Sequence, residues 1–129
     1  MKPLTFEWVE KAEEDFISAQ REYRARKRPN YNAACFFVQQ CIEKYLKARL
    51  QEADIEFSKI HDLIKLLELV LRVEPLWDAY RPTFRYVSAY AVSFRYPGEN
   101  AEKDEARDAI KICRTFRNMA RSSLGLPEE

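Results

Sequence analysis

The chain has 129 residues, of which 47% are apolar and 33% are charged, and its formal net charge at pH 7 is +1. It has only two glycines, Gly98 and Gly125, which excludes the Gly-rich loops that bind dinucleotides or nucleoside triphosphates and argues against an all-β fold with many tight turns. The lack of a long apolar run and the acidic N-terminal region argue against a membrane span and a signal peptide. We expect one helical, cytoplasmic domain over residues 1–129.

The cysteines are predicted to be buried apolar side chains. Cys35, Cys41 and Cys113 form no C-x-x-C pair, and the chain has a single histidine, so a Cys/His zinc site is not expected. Each cysteine lies within an apolar stripe, which favours burial over a redox or nucleophilic role. We expect neither a metal nor a cofactor.

Two long helices are predicted in the first half of the chain, over about residues 5–27 and 32–53. The apolar face of the first contains Trp8, Ala12, Phe16, Ala19 and Tyr23. The apolar face of the second contains Ala34, Cys35, Val38, Cys41, Ile42, Tyr45, Leu46, Ala48 and Leu50. Because the second helix has the broadest apolar surface, we expect it to lie at the centre of the fold.

A third helix is predicted over about residues 59–73, with Ser58 as its N-cap. A fourth is predicted over about residues 76–95. Pro82 lies inside this fourth segment and should either begin its regular part or kink it.

A fifth helix is predicted to follow the turn at residues 96–99, with Asn100 as a candidate cap, and to end at Gly125. Short connections between long helices favour antiparallel neighbours. The sequence therefore predicts an all-α, up-and-down bundle of four long helices plus one shorter helix.

Arginine and aromatic residues are concentrated between positions 77 and 96. Arg81, Arg85 and Arg95 are interleaved there with Trp77, Tyr80, Phe84, Tyr86, Tyr90, Phe94 and Tyr96. Such a mixture can stack a base and hold a phosphate. It is also typical of a core with a dimer interface, which is the interpretation we favour.

Basic residues also share one face of the fifth helix. They are Arg107, Lys111, Arg114, Arg117 and Arg121. This face could bind RNA phosphates or an acidic partner. The alternative is a solvated face that pairs with acids on neighbouring helices, such as Glu13 and Glu14, and the small net charge favours this alternative.

The only histidine, His61, lies in the segment Lys-Ile-His-Asp-Leu at residues 59–63. It could act as a general base or donate to a phosphate. Near a helix N-terminus, local hydrogen bonding is its more common role. No Ser/His/Asp or Cys/His catalytic set can be argued from the sequence.

The order of four segments resembles a known family. The chain has Trp-Val-Glu-Lys-Ala-Glu-Glu-Asp-Phe at residues 8–16, and Ala-Ala-Cys-Phe-Phe-Val-Gln-Gln-Cys-Ile-Glu-Lys-Tyr-Leu-Lys-Ala at residues 33–48. His-Asp-Leu at residues 61–63 and Arg-Tyr-Pro at residues 95–97 follow. In this order and at these distances the segments resemble the HEPN family (higher eukaryotes and prokaryotes nucleotide-binding domain) over nearly the whole chain.

The resemblance implies a helical bundle that usually dimerises. Prokaryotic members are often encoded beside a minimal nucleotidyltransferase, and many such pairs are toxin–antitoxin systems. Several branches of the family are metal-independent ribonucleases. Their motif is an Arg, a short spacer and a His near the end of the penultimate long helix, with two copies meeting across the dimer.

Arg95 matches the Arg of that motif, but residues 96–102 contain no His. The resemblance therefore implies a non-catalytic, homodimeric protein that pairs with a nucleotidyltransferase, with nucleotide or RNA binding as a candidate activity. Arg95 and Tyr96 are the expected phosphate and base contacts, and Lys44, Lys47 and His61 are weaker candidates.

Two alternatives remain open. The first is a divergent ribonuclease that uses Arg95 with Glu99, or Arg95 with His61. The second is a purely structural dimerisation or scaffolding module without a ligand.

Overall fold

The computed structural model describes residues 1–128, and residue 91 by its backbone alone. The elements in chain order are α1 (Pro3–Arg24), α2 (Tyr31–Glu52), α3 (Leu63–Val70), a 3-10 helix (Pro75–Tyr80), α4 (Arg81–Ser93) and α5 (Lys103–Ser123). No β-strand is present in this part of the chain, and the 3-10 helix runs directly into α4. The predicted all-α bundle with one shorter helix, α3, is confirmed.

Helix α2 lies at the centre of the bundle, as the breadth of its apolar surface predicts. It packs against α1, α3, α4 and α5. Eleven of its 22 residues are buried. The side chain of Asn30 caps it by accepting a hydrogen bond from the Ala33 amide at 2.9 Å. A site built on α2 is therefore held by every other helix of the fold.

Helix α3 begins later than predicted, and Ser58 is not its N-cap. The φ angle of Ser58 is +42°, whereas an N-cap residue adopts an extended backbone. Asp62 caps α3 instead, because its carboxylate accepts hydrogen bonds from the amides of Ile64 at 2.8 Å and Lys65 at 3.1 Å. His61 is thereby placed immediately before the cap.

Neighbouring side chains also determine where α4 and α5 begin. Pro82 lies in the first turn of α4, where it removes no helical hydrogen bond, and thus begins the regular part of this segment. Helix α5 begins with a capping box between Glu102 and Glu105 rather than at Asn100. The Asn100 side chain instead accepts a hydrogen bond from the amide group of Asn32 on α2 at 3.1 Å. This contact ties the turn before α5 to the start of α2.

An aromatic cluster fills the core between α4 and α5. The ring of Phe116 lies 5.1 Å from Trp77, 5.2 Å from Tyr80 and 5.0 Å from Phe84 between centroids, in each case edge to face. Trp77 and Phe84 are buried. Part of the aromatic concentration between residues 77 and 96 therefore belongs to the core, as the favoured interpretation states.

All three cysteines are buried and free. Burial raises the pKa of the Cys35 thiol to about 12, and burial also raises the pKa of Cys41 well above its ordinary value. Because the thiolate is the nucleophilic form, neither thiol is reactive at neutral pH. The predicted apolar role of the cysteines is confirmed.

Within residues 1–128, no helix combines the length and the apolar character that a lipid bilayer requires.

Candidate functional site

An open cleft of about 970 Å³ lies between α2, the segment that leads into α3, and α4. We call it the central cleft. The polar side chains on its walls are Gln39, Gln40, Glu43, His61, Asp62, Arg85, Ser88, Ser93 and Arg95. His61 and Arg95 are far apart in sequence, and they line the same cleft because α3 and α4 both pack against α2.

His61 is held at the cleft wall by a buried carboxylate. Its Nδ1 atom lies 3.0 Å from Oε2 of Glu43, and the Glu43 residue is only 4% exposed. A carboxylate only accepts hydrogen bonds, so Nδ1 is the donor and Nε2 is the ring nitrogen left for a ligand. The imidazole itself is 74% exposed. The fold therefore offers an oriented but accessible histidine.

Lys47 balances the charge of that carboxylate. Its Nζ atom lies 3.0 Å from Oε2 of Glu43, one helical turn earlier on α2. The same ammonium lies over the rings of Trp8 at 5.3 Å and Phe57 at 5.9 Å. Lys47 is thus buried behind Glu43 and does not line the central cleft.

Lys44 is also engaged within the bundle. Its Nζ atom lies 2.6 Å from Oδ2 of Asp15 on α1, outside the central cleft. Tyr96, the predicted base contact, is 64% exposed in the turn after α4 and does not line the cleft either. Of the five predicted site residues, the structure brings Arg95 and His61 together.

The three arginines of the α4 region differ in what they contact. Arg81 binds Asp78 through Nε at 3.0 Å and Glu68 through Nη1 at 3.2 Å. Arg85 and Arg95 are exposed, and neither has an ion-pair partner among residues 1–128. These two guanidinium groups are therefore available to an anionic ligand.

Two of the five residues on the basic face of α5, Arg117 and Arg121, are used inside the fold, whereas Arg107, Lys111 and Arg114 are exposed. Arg117 donates to the Glu13 carboxylate from Nε and Nη2, both at 2.7 Å, and Nη1 of Arg121 lies 3.7 Å from Glu13 Oε1. Guanidinium groups of Arg114 and Arg117 also lie over the Phe16 ring. For Arg117 and Arg121, the predicted pairing with Glu13 is confirmed, and this removes them from nucleic-acid binding.

Glu13 remains charged in this network. Burial raises its pKa, but hydrogen bonds from Arg117 and Tyr45 and the nearby positive charges of Arg117 and Arg121 outweigh burial, so the pKa is lowered. The hydrogen bond to Glu13 in turn raises the pKa of Arg117. The network stabilises the packing of α1 on α5.

A second groove of about 450 Å³ adjoins the central cleft. We call it the aromatic groove, because Phe36, Phe37, Tyr90 and Phe94 line it together with Asn30, Asn32 and Arg95. Phe36 and Arg95 line both cavities. No pattern in the sequence predicts this groove. Glu43 was not among the predicted site residues either, although the i,i+4 spacing of Glu43 and Lys47 is visible in the sequence.

The described part of the chain holds no cluster of three or more His, Cys, Asp or Glu side chains that could bind a metal ion.

Comparison with protein families identifies the fold. The family model described as "HEPN domain" matches residues 6–123, which is nearly the whole chain. The chain belongs to the HEPN domain family. Neither the curated proteins nor the solved structures gave a match.

Within this HEPN domain, the region after Arg95 supplies no histidine, yet the cleft contains one. His61 reaches it from the segment before α3, and Glu43 of α2 orients it. The cleft thus combines an arginine and a histidine that do not form a local sequence motif.

Proposed function

We propose that this HEPN domain binds a nucleotide and that the central cleft holds the phosphate. The observation that carries the proposal is that Arg85 and Arg95, two exposed arginines without carboxylate partners in the described chain, line one open cleft with His61. A planar guanidinium matches the oxygen atoms of a phosphate and can donate two parallel hydrogen bonds to it.

The charge balance in the cleft supports an anionic ligand. The negative charge of Glu43 is offset by Lys47 at 3.0 Å. The carboxylate of Asp62 already accepts two backbone amides of α3. The two positive charges of Arg85 and Arg95 therefore exceed the single negative charge of Asp62, which no cation in the described chain balances.

Calorimetric titration with AMP, ADP and ATP tests the proposal. Arg95→Ala should weaken binding at least about tenfold, because a hydrogen bond to a charged group contributes about 1.5–3 kcal/mol. Arg72→Ala is the matched control, since Arg72 is exposed and lies outside the cleft. The absence of binding by the wild-type protein, or equal affinities for wild type and Arg95→Ala, would contradict the phosphate site.

We also propose that the protein is a homodimer that pairs with a nucleotidyltransferase in a toxin–antitoxin-like system, as the family resemblance implies. Exposed apolar side chains on α4, Tyr86 at 46% and Val92 at 57%, support a protein contact on this face. Sedimentation of the wild type should show a dimer, and Tyr86→Asp should shift it towards the monomer, because Tyr86 is exposed and lies outside the central cleft. A nucleotidyltransferase encoded beside this chain should copurify with it when the two are expressed together.

The second candidate function is metal-independent RNA cleavage. The oriented His61 favours it, because Nε2 could take a proton from a ribose 2′-hydroxyl while Arg95 binds the phosphate. Glu99, the other candidate partner of Arg95, does not line the central cleft. Incubation of RNA with wild type, His61→Ala and Arg95→Ala decides between the candidates: cleavage by the wild type alone supports a nuclease, and no cleavage by the wild type excludes it.

A further inference from the structure

The aromatic groove has two walls, each built from a pair of rings. On α2, the rings of Phe36 and Phe37 lie 5.6 Å apart at an angle of 67°. On α4, the rings of Tyr90 and Phe94 stack 5.2 Å apart at an angle of 25°. The groove between them therefore has aromatic side chains on both walls, and those at the α4 wall are stacked.

This groove adjoins the central cleft. Arg95 and Phe36 line both cavities, so these two residues lie at the boundary between them. A ligand whose anion is bound by Arg95 has room on either side of that residue. On the side of the aromatic groove, a flat ring attached to the anion by a short linker would contact the aromatic walls.

Asparagine side chains add polar groups to the aromatic groove. Asn32 is fixed, because Oδ1 accepts the Ala101 amide at 2.6 Å and Nδ2 donates to Asn100 at 3.1 Å. Asn30 uses Oδ1 to cap α2, which leaves its amide nitrogen without a hydrogen-bond partner in the described chain and free to donate. A nucleobase has both features that this combination fits: apolar faces and hydrogen-bonding edges.

We infer that the aromatic groove is the nucleobase subsite of this protein and that Phe36 and Phe94 provide its ring contacts. The inference rests on the proposed nucleotide binding and adds the place of the base, which distinguishes a nucleoside phosphate from a sugar phosphate or a free anion. It also moves the base contact from Tyr96, the residue predicted from sequence, to rings on α2 and at the end of α4.

The test compares the affinities of AMP, ribose 5-phosphate and inorganic phosphate, each measured by calorimetry on the full chain. Wild type should bind AMP at least about tenfold more tightly than ribose 5-phosphate, because stacking on aromatic side chains favours the base. Phe36→Leu should reduce the ratio of the AMP affinity to the ribose 5-phosphate affinity, because Phe36 lines the aromatic groove. Phe36 is 37% exposed, so the variant should fold, and circular dichroism checks this.

Phe94→Leu and Tyr96→Leu form a matched pair. The two rings are two residues apart in sequence, and of the two only Phe94 lines the aromatic groove. Phe94→Leu should reduce the preference for AMP, and Tyr96→Leu should not. If wild type binds AMP and ribose 5-phosphate equally, the base subsite is wrong while the phosphate site stands. If wild type binds neither, the proposed function fails and the subsite fails with it.

Two further outcomes would overturn the inference. Loss of the AMP preference in Tyr96→Leu, but not in the Phe36 and Phe94 variants, would place the base on Tyr96. A wild-type dimer that dissociates on Phe36→Leu, with no preference for AMP, would show that a second copy of the chain occupies the groove.

Discussion

The imidazole Nδ1 of His61 lies 3.0 Å from the carboxylate Oε2 of Glu43, and Glu43 is only 4% exposed. The exposed imidazole of His61 is thus held in place by the buried carboxylate of Glu43. The Nζ atom of Lys47 lies 3.0 Å from the same oxygen atom. The orientation of His61 in the central cleft therefore depends on an ion pair within α2.

The first prediction concerns the stability of that ion pair. Lys47→Met should lower the free energy of unfolding by about 3 kcal/mol, because it leaves Glu43 buried without its cation. Urea denaturation measures this loss. The double variant Glu43→Gln/Lys47→Met removes both charges and should recover most of the stability. If Lys47→Met unfolds at the same urea concentration as wild type, the pair is not the support we describe.

The second prediction concerns the tautomer of His61. Glu43 accepts the Nδ1 proton, so at alkaline pH the neutral ring should carry its proton on Nδ1. Long-range proton–nitrogen NMR spectra of the only histidine report this directly. A spectrum of the opposite tautomer, with the proton on Nε2, would show that Glu43 does not orient the ring.

The third prediction concerns acid stability. A carboxyl group with a lowered pKa in the folded state stabilises the protein above its unfolded pKa, and this contribution is lost as pH falls through the folded pKa. The pKa of Glu13 lies below its ordinary value of 4.5. Wild type should therefore lose part of its stability as pH falls below about 4.5.

Glu13→Gln should remove this part of the pH dependence. At neutral pH it should lower the free energy of unfolding by about 1.5 kcal/mol, a figure that allows for the partial exposure of the site. Urea denaturation at a series of pH values measures both effects. Glu14→Gln, an exposed neighbour, is the control and should behave as wild type. Identical pH profiles for wild type and Glu13→Gln would contradict the account of the network.

The fourth prediction separates two possible caps of α3. Asp62→Ala should lower the free energy of unfolding by about 1 kcal/mol, because the amides of Ile64 and Lys65 lose their acceptor. Ser58→Ala should change stability by less than about 0.5 kcal/mol. If urea denaturation shows a larger loss of stability for Ser58→Ala than for Asp62→Ala, Ser58 is the cap of α3.

Much of the fold is predictable from apolar spacing. The width of the apolar surface on α2 identifies it as the central helix, and Pro82 marks where α4 becomes regular. The cap of α3 is less predictable, because both Ser58 and Asp62 are good capping residues and only the backbone conformation between them decides. Local sequence gives element types more reliably than element ends.

The site is less predictable than the fold. Arg95 and His61 are candidates from the sequence, but they line one cleft only because of how α3 and α4 pack against α2. Lysine residues look alike in sequence, so nothing local indicates that Lys44 contacts Asp15 while Lys47 lies among Trp8, Phe57 and Glu43. Contacts between distant segments decide which charges a ligand can reach.

The most direct test of the central claim is where AMP binds. Backbone amide chemical shifts of the isotope-labelled protein, followed by NMR during a titration with AMP, locate the site without any substitution. If the central cleft and the aromatic groove bind AMP, the largest chemical-shift changes should occur at residues 36–43, 61–64 and 85–95. The largest changes on the basic face of α5, or no changes at any concentration of AMP, would contradict it.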